Sequence, residues 1–201
     1  MEAPSSLCMA FFFFTGRFYD APAAVALLVI WQMHYVHRAF LYPFTIKGGK
    51  KEMPVMIIVF GMIFNSINAY INGAYLSFFS GGYGNEWLTD PRFLIGSFTF
   101  IVGFALNRRS DAILRRLRKK GENDYKIPHG GMHRWISCPN YFGEIILWAG
   151  WAVATWSLAG LSFAVWTAAN LIPRAWAHHK WYQEKFPDYP RNRKAILPGL
   201  F

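Results

Sequence analysis

Glu144 and Asn140 stand one helical turn apart inside a long apolar stretch, and together they offer a carboxylate and an amide to a single partner. An ionisable side chain within a membrane-length run costs roughly 2.5–3.5 kcal/mol on insertion scales, so it calls for a specific use. Directly upstream, Asn107 to Arg134 carries nine Lys/Arg against three Asp/Glu. A buried polar pair opening onto a cationic shelf suits a large anionic molecule bound at a membrane surface. Other polar sets recur at helical spacing. Arg174, His178 and Tyr182 are i, i+4 and i+8. Tyr35 and Arg38 are i and i+3, with His34 beside them, and Asn65, Asn68 and Asn72 share one helix face. Side chains aligned this way face a bundle interior or a water-filled cavity rather than lipid.

Each set also has a plainer use. Asparagines within spans join helices through hydrogen bonds of roughly 0.6 kcal/mol each. Arg, His and Tyr near helix ends anchor spans at the interface, and a basic loop can hold anionic lipid headgroups. Glu144, flanked by Ile145, Ile146 and Leu147, fits none of these.

The elements that must position these groups are helices in a membrane. The 201 residues are 54% hydrophobic and 16% charged, against about 25% charged in ordinary soluble domains. Ala23–Leu41, Val55–Phe79, Tyr141–Gly160 and Leu161–Ala177 each approach or exceed the length that crosses a bilayer, about 20 residues. Phe93–Leu106 and Leu7–Phe14 are shorter apolar runs. The reading is all-α: one polytopic transmembrane bundle of about six helical segments over residues 1–201. Ser110 or Asp111 is expected to cap a short surface helix ending at Gly121, with Ile113, Leu114 and Leu117 on its apolar face. Gly-rich breaks fall at Gly48-Gly49, Gly81-Gly82 and Gly130-Gly131.

The net charge of +10 does not indicate nucleic acid, because its distribution alternates. His37–Glu52, Arg108–Arg134 and Arg174–Lys194 hold 19 of the 21 Lys/Arg, leaving Arg17 and Arg92 elsewhere. The positive-inside rule puts those loops and the C-terminus in the cytoplasm. The membrane is the endoplasmic reticulum in a eukaryote or the inner membrane in a bacterium. Neither a secretory signal nor a Cys8–Cys138 disulfide is expected. A metal site is not expected either: six histidines are too few for a di-iron centre, and Gly130-Gly131 breaks any helix joining His129 to His133. The phosphate-binding glycine motifs of soluble nucleotide domains are absent.

Several motifs then fall into place together. They are His34-Tyr35-x-His37-Arg38, Asn107-x-x-Ser110-Asp111-x-Ile113-Leu114-Arg115-x-Leu117-Arg118, and Gly121-Glu122-x-x-Tyr125-Lys126-Ile127-Pro128. Asn140-Tyr141-Phe142-Gly143-Glu144, Ala154-Thr155-Trp156-Ser157-Leu158 and Asp188-Tyr189-Pro190-x-x-Arg193-Lys194-Ala195 follow in order. This series resembles the steroid 5-alpha-reductase family along nearly the whole chain. The resemblance implies seven membrane helices around NADPH, open to lipid for an apolar steroid. Met1-Glu2-x-Pro4-Ser5 matches where the family has Gln-Glu-x-Pro-Ser, so the family's first helix is expected to have no counterpart here, and Met1 replaces a glutamine.

Carried over, the resemblance gives Glu2 and Tyr35 the substrate carbonyl. Arg38, Asn107, Asp111, Arg118, Tyr125, Lys126, Asn140, Arg174, His178 and Tyr182 would line the cofactor, and Glu144 would bond the nicotinamide carboxamide. Lys47 and Lys50 match a basic loop near it more loosely. The expected partners are NADPH and a steroid taken from the lipid phase, with the chain acting as a monomer and without nucleic acid. The implied reaction is NADPH-dependent reduction of the 4,5 double bond of a 3-oxo-4-ene steroid. The alternatives are a trans-2-enoyl-CoA reductase of the same superfamily, an isoprenylcysteine-type methyltransferase, whose phosphate-free cofactor gives no use for so many Arg/Lys, and a lipid-binding membrane protein.

Overall fold

In a computed structural model, residues 1–45, 53–117 and 125–199 are described, and six α-helices carry the architecture. They are α1 (Ala3–Phe14), α2 (Pro22–Val36), α3 (Val55–Ala74), α4 (Pro91–Arg116), α5 (Pro139–Thr155) and α6 (Leu158–Lys185). No strand occurs among the described residues. Four of the helices open with a proline in their first turn, where the missing N–H costs nothing. Asp90 and Ser157 cap α4 and α6 by accepting from the backbone N–H groups of Arg92 (2.8 Å) and Gly160 (2.9 Å). Short π-helical turns extend α2 over His37–Leu41 and α3 over Tyr75–Phe79.

Two helices with their extensions, Pro22–Thr45 and Val55–Phe79, are long and apolar enough to cross a membrane. Their outward residues include Val55, Met56, Ile57, Phe60 and Ile63, while Leu94, Ile95, Phe98 and Ile101 are exposed on α4. Such an apolar exterior is stable against hydrocarbon rather than water. The stretch expected to divide at Gly160–Leu161 divides instead at Trp156–Ser157. Trp156 takes a left-handed conformation (φ 45°), which reverses the chain between α5 and α6.

Ser110 and Asp111 do not cap a separate helix. α4 runs unbroken from Pro91 to Arg116, with both residues buried inside it. Nothing in that stretch interrupts the i→i−4 ladder, and both side chains are buried in the protein interior. The rest of the segment to Gly121 lies outside the described residues.

α4 and α5 pack antiparallel with their backbones in close approach. Gly96 and Gly103 on one face Gly150 and Gly143 on the other, each pair seven residues apart. A Cβ on Gly96 would strike Ala154, one on Gly103 would strike Leu147, and one on Gly150 would strike Phe100. Small residues two turns apart let helix backbones meet in a membrane, where packing rather than water drives association.

Around this pair, Trp31, Phe100, Trp148 and Trp151, with Leu147 among them, form a fully buried and largely aromatic core. All three asparagines on α3 are buried. Asn72 accepts from the Trp151 indole (2.9 Å) and Asn65 accepts from Ser5 (2.8 Å), so they join α3 to α5 and α1. At the far end, the C-terminal segment is tied to the loop before α5. Ser137 N–H donates to Lys194 C=O (2.9 Å) and Cys138 N–H to Ala195 C=O (3.2 Å). The Ser137 hydroxyl meets both His179 Nδ1 (2.6 Å) and the Tyr189 hydroxyl (2.7 Å).

Candidate functional site

The glycine contact between α4 and α5 brings Asn107 against the start of α5. Its amide donates to Asn140 C=O (3.0 Å) and to Glu144 Oε2 (3.3 Å). Glu144 thus has a neutral partner and keeps acceptor capacity to spare. Asn107, Asn140 and Glu144 form a polar floor, with Asp111 one turn beyond Asn107 on α4.

The floor borders a cavity of about 710 Å³, within the range of small-molecule and cofactor sites, about 300–1,000 Å³. Asp111, Leu114, Arg115 and Leu117 line one wall from α4. Ser137, Cys138, Asn140 and Tyr141 come from the start of α5, and His178, Trp181, Tyr182 and Lys185 from the end of α6. Tyr42, Tyr125 and Lys126 complete it. Tyr141 and His178 approach to 3.4 Å. The Lys185 ammonium lies 5.6 Å from the Tyr125 ring centre and 5.3 Å from that of Trp181, in cation–π range. Burial pushes the Cys138 thiol up to about 12, so it stays neutral and is a lining group rather than a nucleophile.

A second polar cluster lies where α1 meets the end of α2. Arg38 forms a two-pronged pair with Glu2, through Nε to Oε2 and Nη2 to Oε1, both at 3.0 Å. Its third nitrogen lies 3.7 Å from Asp111. Arg38 therefore connects this cluster to the cavity wall. Tyr35, one turn earlier, is buried, with its ring 5.0 Å from Trp31 and 5.6 Å from Trp148. Nearby on α1, the Ser5 hydroxyl donates to Asn65 Oδ1 (2.8 Å).

The structure gathers most of the residues singled out from sequence. Asp111, Tyr125, Lys126, Asn140, His178 and Tyr182 line the cavity, and Asn107, Glu144 and Arg38 reach it through the contacts above. Glu2 and Tyr35 share the second cluster, Glu2 held by Arg38 and Tyr35 packed against Trp31 and Trp148. Arg174 is exposed on α6, one turn before His178. Arg118, Lys47 and Lys50 lie outside the described residues.

Sequence reasoning passed over Tyr42, Arg115, Trp181 and Lys185. A signal existed for three of them: Arg115 is i+4 from Asp111, and Trp181 and Lys185 are i+3 and i+7 from His178. Tyr42 follows a π-helical turn that shifts the helical register, so spacing alone does not reach it.

The donor set fits a phosphate-bearing dinucleotide. Among the described residues, three cationic side chains, Arg115, Lys126 and Lys185, border the cavity, and Arg115 Nη1 is buried without a hydrogen-bond partner there. A buried guanidinium N–H left open is costly unless an acceptor arrives. The floor offers both donors and acceptors, as an amide ligand needs.

The sequence pattern described as 3-oxo-5-alpha-steroid 4-dehydrogenase matches residues 51–201. The chain is 48% identical to 3-oxo-5-alpha-steroid 4-dehydrogenase 1 of Bos taurus over 174 residues, 87% of this chain and 67% of that protein. With the Homo sapiens protein of the same description it shares 45% over 185 residues, 92% of this chain and 70% of the other. It is 41% identical over 205 residues to the steroid 5-alpha-reductase DET2 of Gossypium hirsutum, across all of this chain and 80% of that protein.

Proposed function

The chain belongs to the 3-oxo-5-alpha-steroid 4-dehydrogenase family, oxidoreductases that act on a CH–CH group, and from that premise we propose that it uses NADPH to saturate the 4,5 double bond of 3-oxo-4-ene steroids. Residues 1–201 act as one membrane-embedded catalytic domain and as a monomer, with the basic loops on the cytoplasmic side. The observation that carries this reading is Arg38, whose guanidinium pairs with Glu2 on one side and faces Asp111 of the cavity on the other.

Tyr125, Lys126, Arg174, His178 and Tyr182 hold the nucleotide along the cavity. Asn107, Asn140 and Glu144 orient its carboxamide through the polar floor. When bound, the cofactor supplies hydride to the β carbon of the enone. The chain's own task is the other half of the reaction. Negative charge develops on the steroid carbonyl oxygen, and a hydroxyl aimed at that oxygen stabilises it more strongly in the transition state than in the ground state. Tyr35 is that donor. Glu2, locked by Arg38, is the partner of Tyr35 at the carbonyl site. Trp31 and Trp148 keep water from the Tyr35 ring, which strengthens the hydrogen bond and protects the enolate from side reactions.

The test is NADPH consumption by the purified protein in detergent or vesicles. Absorbance should fall when a 3-oxo-4-ene steroid is supplied and stay level without it. Turnover of a trans-2-enoyl-CoA with no turnover of any such steroid would overturn the assignment.

A further inference from the structure

We propose that Arg115, packed on the Tyr42 ring, is a phosphate seat of the cavity, taking a phosphoryl group of the bound nucleotide. This rests on the NADPH reading and adds to it a residue outside the set already assigned. The three described arginines along this edge are used differently. Arg38 is occupied by the two carboxylate oxygens of Glu2. Arg108 donates to His37 Nδ1 at 2.6 Å. Arg115, two helical turns beyond Arg108 on the same α4 face, lines the cavity, and its Nη1 is buried without a partner among the described residues.

Its guanidinium carbon lies 5.3 Å from the centre of the Tyr42 ring. A ring contact of this kind fixes the guanidinium while leaving N–H groups available for an acceptor. A planar fork with an open buried donor matches phosphate oxygens in geometry and in charge. Arg108 nearby adds positive potential that favours an anion over a neutral acceptor. Two phosphoryl groups could fill the seat, the 2′-phosphate of the adenosine ribose or the diphosphate bridge. Their chemistry toward Arg115 is the same.

The test is equilibrium binding of four probes to the full chain, read by the fluorescence of Trp181, which lines the same cavity. The probes are adenosine, 5′-AMP, 5′-ADP and 2′,5′-ADP. Arg115→Gln should weaken at least one phosphate-rich probe about 10- to 100-fold, as loss of a charge-assisted hydrogen bond does, and leave adenosine unchanged. Loss confined to 2′,5′-ADP identifies the 2′-phosphate, and loss confined to 5′-ADP identifies the diphosphate. Arg115→Lys should recover part of the affinity. Wild-type affinity for every probe in Arg115→Gln would overturn the seat while leaving the NADPH reading intact. Equal weakening of adenosine would also overturn it, since adenosine has no phosphate. If the wild-type chain binds none of the probes, the NADPH reading falls and the seat falls with it.

Discussion

Asn107 and Gly143 meet backbone to backbone: a Cβ on Gly143 would lie 2.5 Å from the Asn107 nitrogen. That contact lets the Asn107 amide reach Glu144 and Asn140 across two helices. Gly143→Ala should therefore force α4 and α5 apart at the polar floor. The expected cost is about 1–3 kcal/mol of stability from overpacking, together with loss of nucleotide affinity. Gly96→Ala is the comparison. Its Cβ would strike Ala154 at the other end of the same helix pair, so it should lower the melting temperature while leaving nucleotide binding near wild type. Melting curves and nucleotide titrations on both variants distinguish local from general damage. Equal affinity in Gly143→Ala and wild type would detach the floor from the cofactor.

Tyr35→Phe removes one hydroxyl from a buried ring and leaves its packing against Trp31 and Trp148. Steroid reduction should fall by about 10²- to 10⁴-fold, the usual contribution of a positioned proton donor. NADPH affinity should change little. Undiminished turnover would remove Tyr35 from the chemistry.

Arg38→Lys keeps the charge but cannot reproduce the two parallel bonds to Glu2. Turnover should drop in Arg38→Lys and in Glu2→Gln, with the double variant no worse than the more damaged single one, because both break the same pair. Steady-state kinetics on the three variants measure that coupling. Strictly additive losses would show that Glu2 and Arg38 act separately.

His133, in the turn before α5, is fully buried, and burial depresses its pKa to about 4. The unfolded chain takes up a proton near pH 6.5, whereas the folded chain does so only near pH 4. Between those values the unfolded state binds more protons. Stability is thus unaffected above pH 6.5 and falls as the pH drops toward 4, by up to about 1.4 kcal/mol per pH unit. His133→Gln should flatten that limb of the stability–pH curve in thermal unfolding, and an unchanged limb would assign the acid sensitivity to other groups.

How far the site was legible follows from what spacing encodes. Asn140 and Glu144, or His178 and Tyr182, are one turn apart on single helices, so their alignment is present in the sequence. The joining of Asn107 to Glu144 is not, because it depends on which helices become neighbours. The seven-residue glycine spacing at Gly96, Gly103, Gly143 and Gly150 was visible, yet only the packed pair shows that these glycines face one another. Ser110 and Asp111 illustrate the opposite error. Their types favour helix caps, but an unbroken helix with a buried place for them overrode that preference.

By itself the sequence determined an all-helical, membrane-suited chain, the alternation of its basic loops, the motifs that mark its family, and a lone carboxylate needing a partner. Those properties follow from composition and from periodicity along a single strand of chain. The tertiary structure decided that Glu2 belongs to Arg38, that Tyr35 packs on Trp31 and Trp148, that Asn65 and Asn72 join helices, and that Arg115 carries a donor with no partner among the described residues. Each of these arrangements spans different helices or a change of helical register. They are settled by how closely backbones approach and which polar groups must be satisfied once buried, neither of which the order of residues specifies.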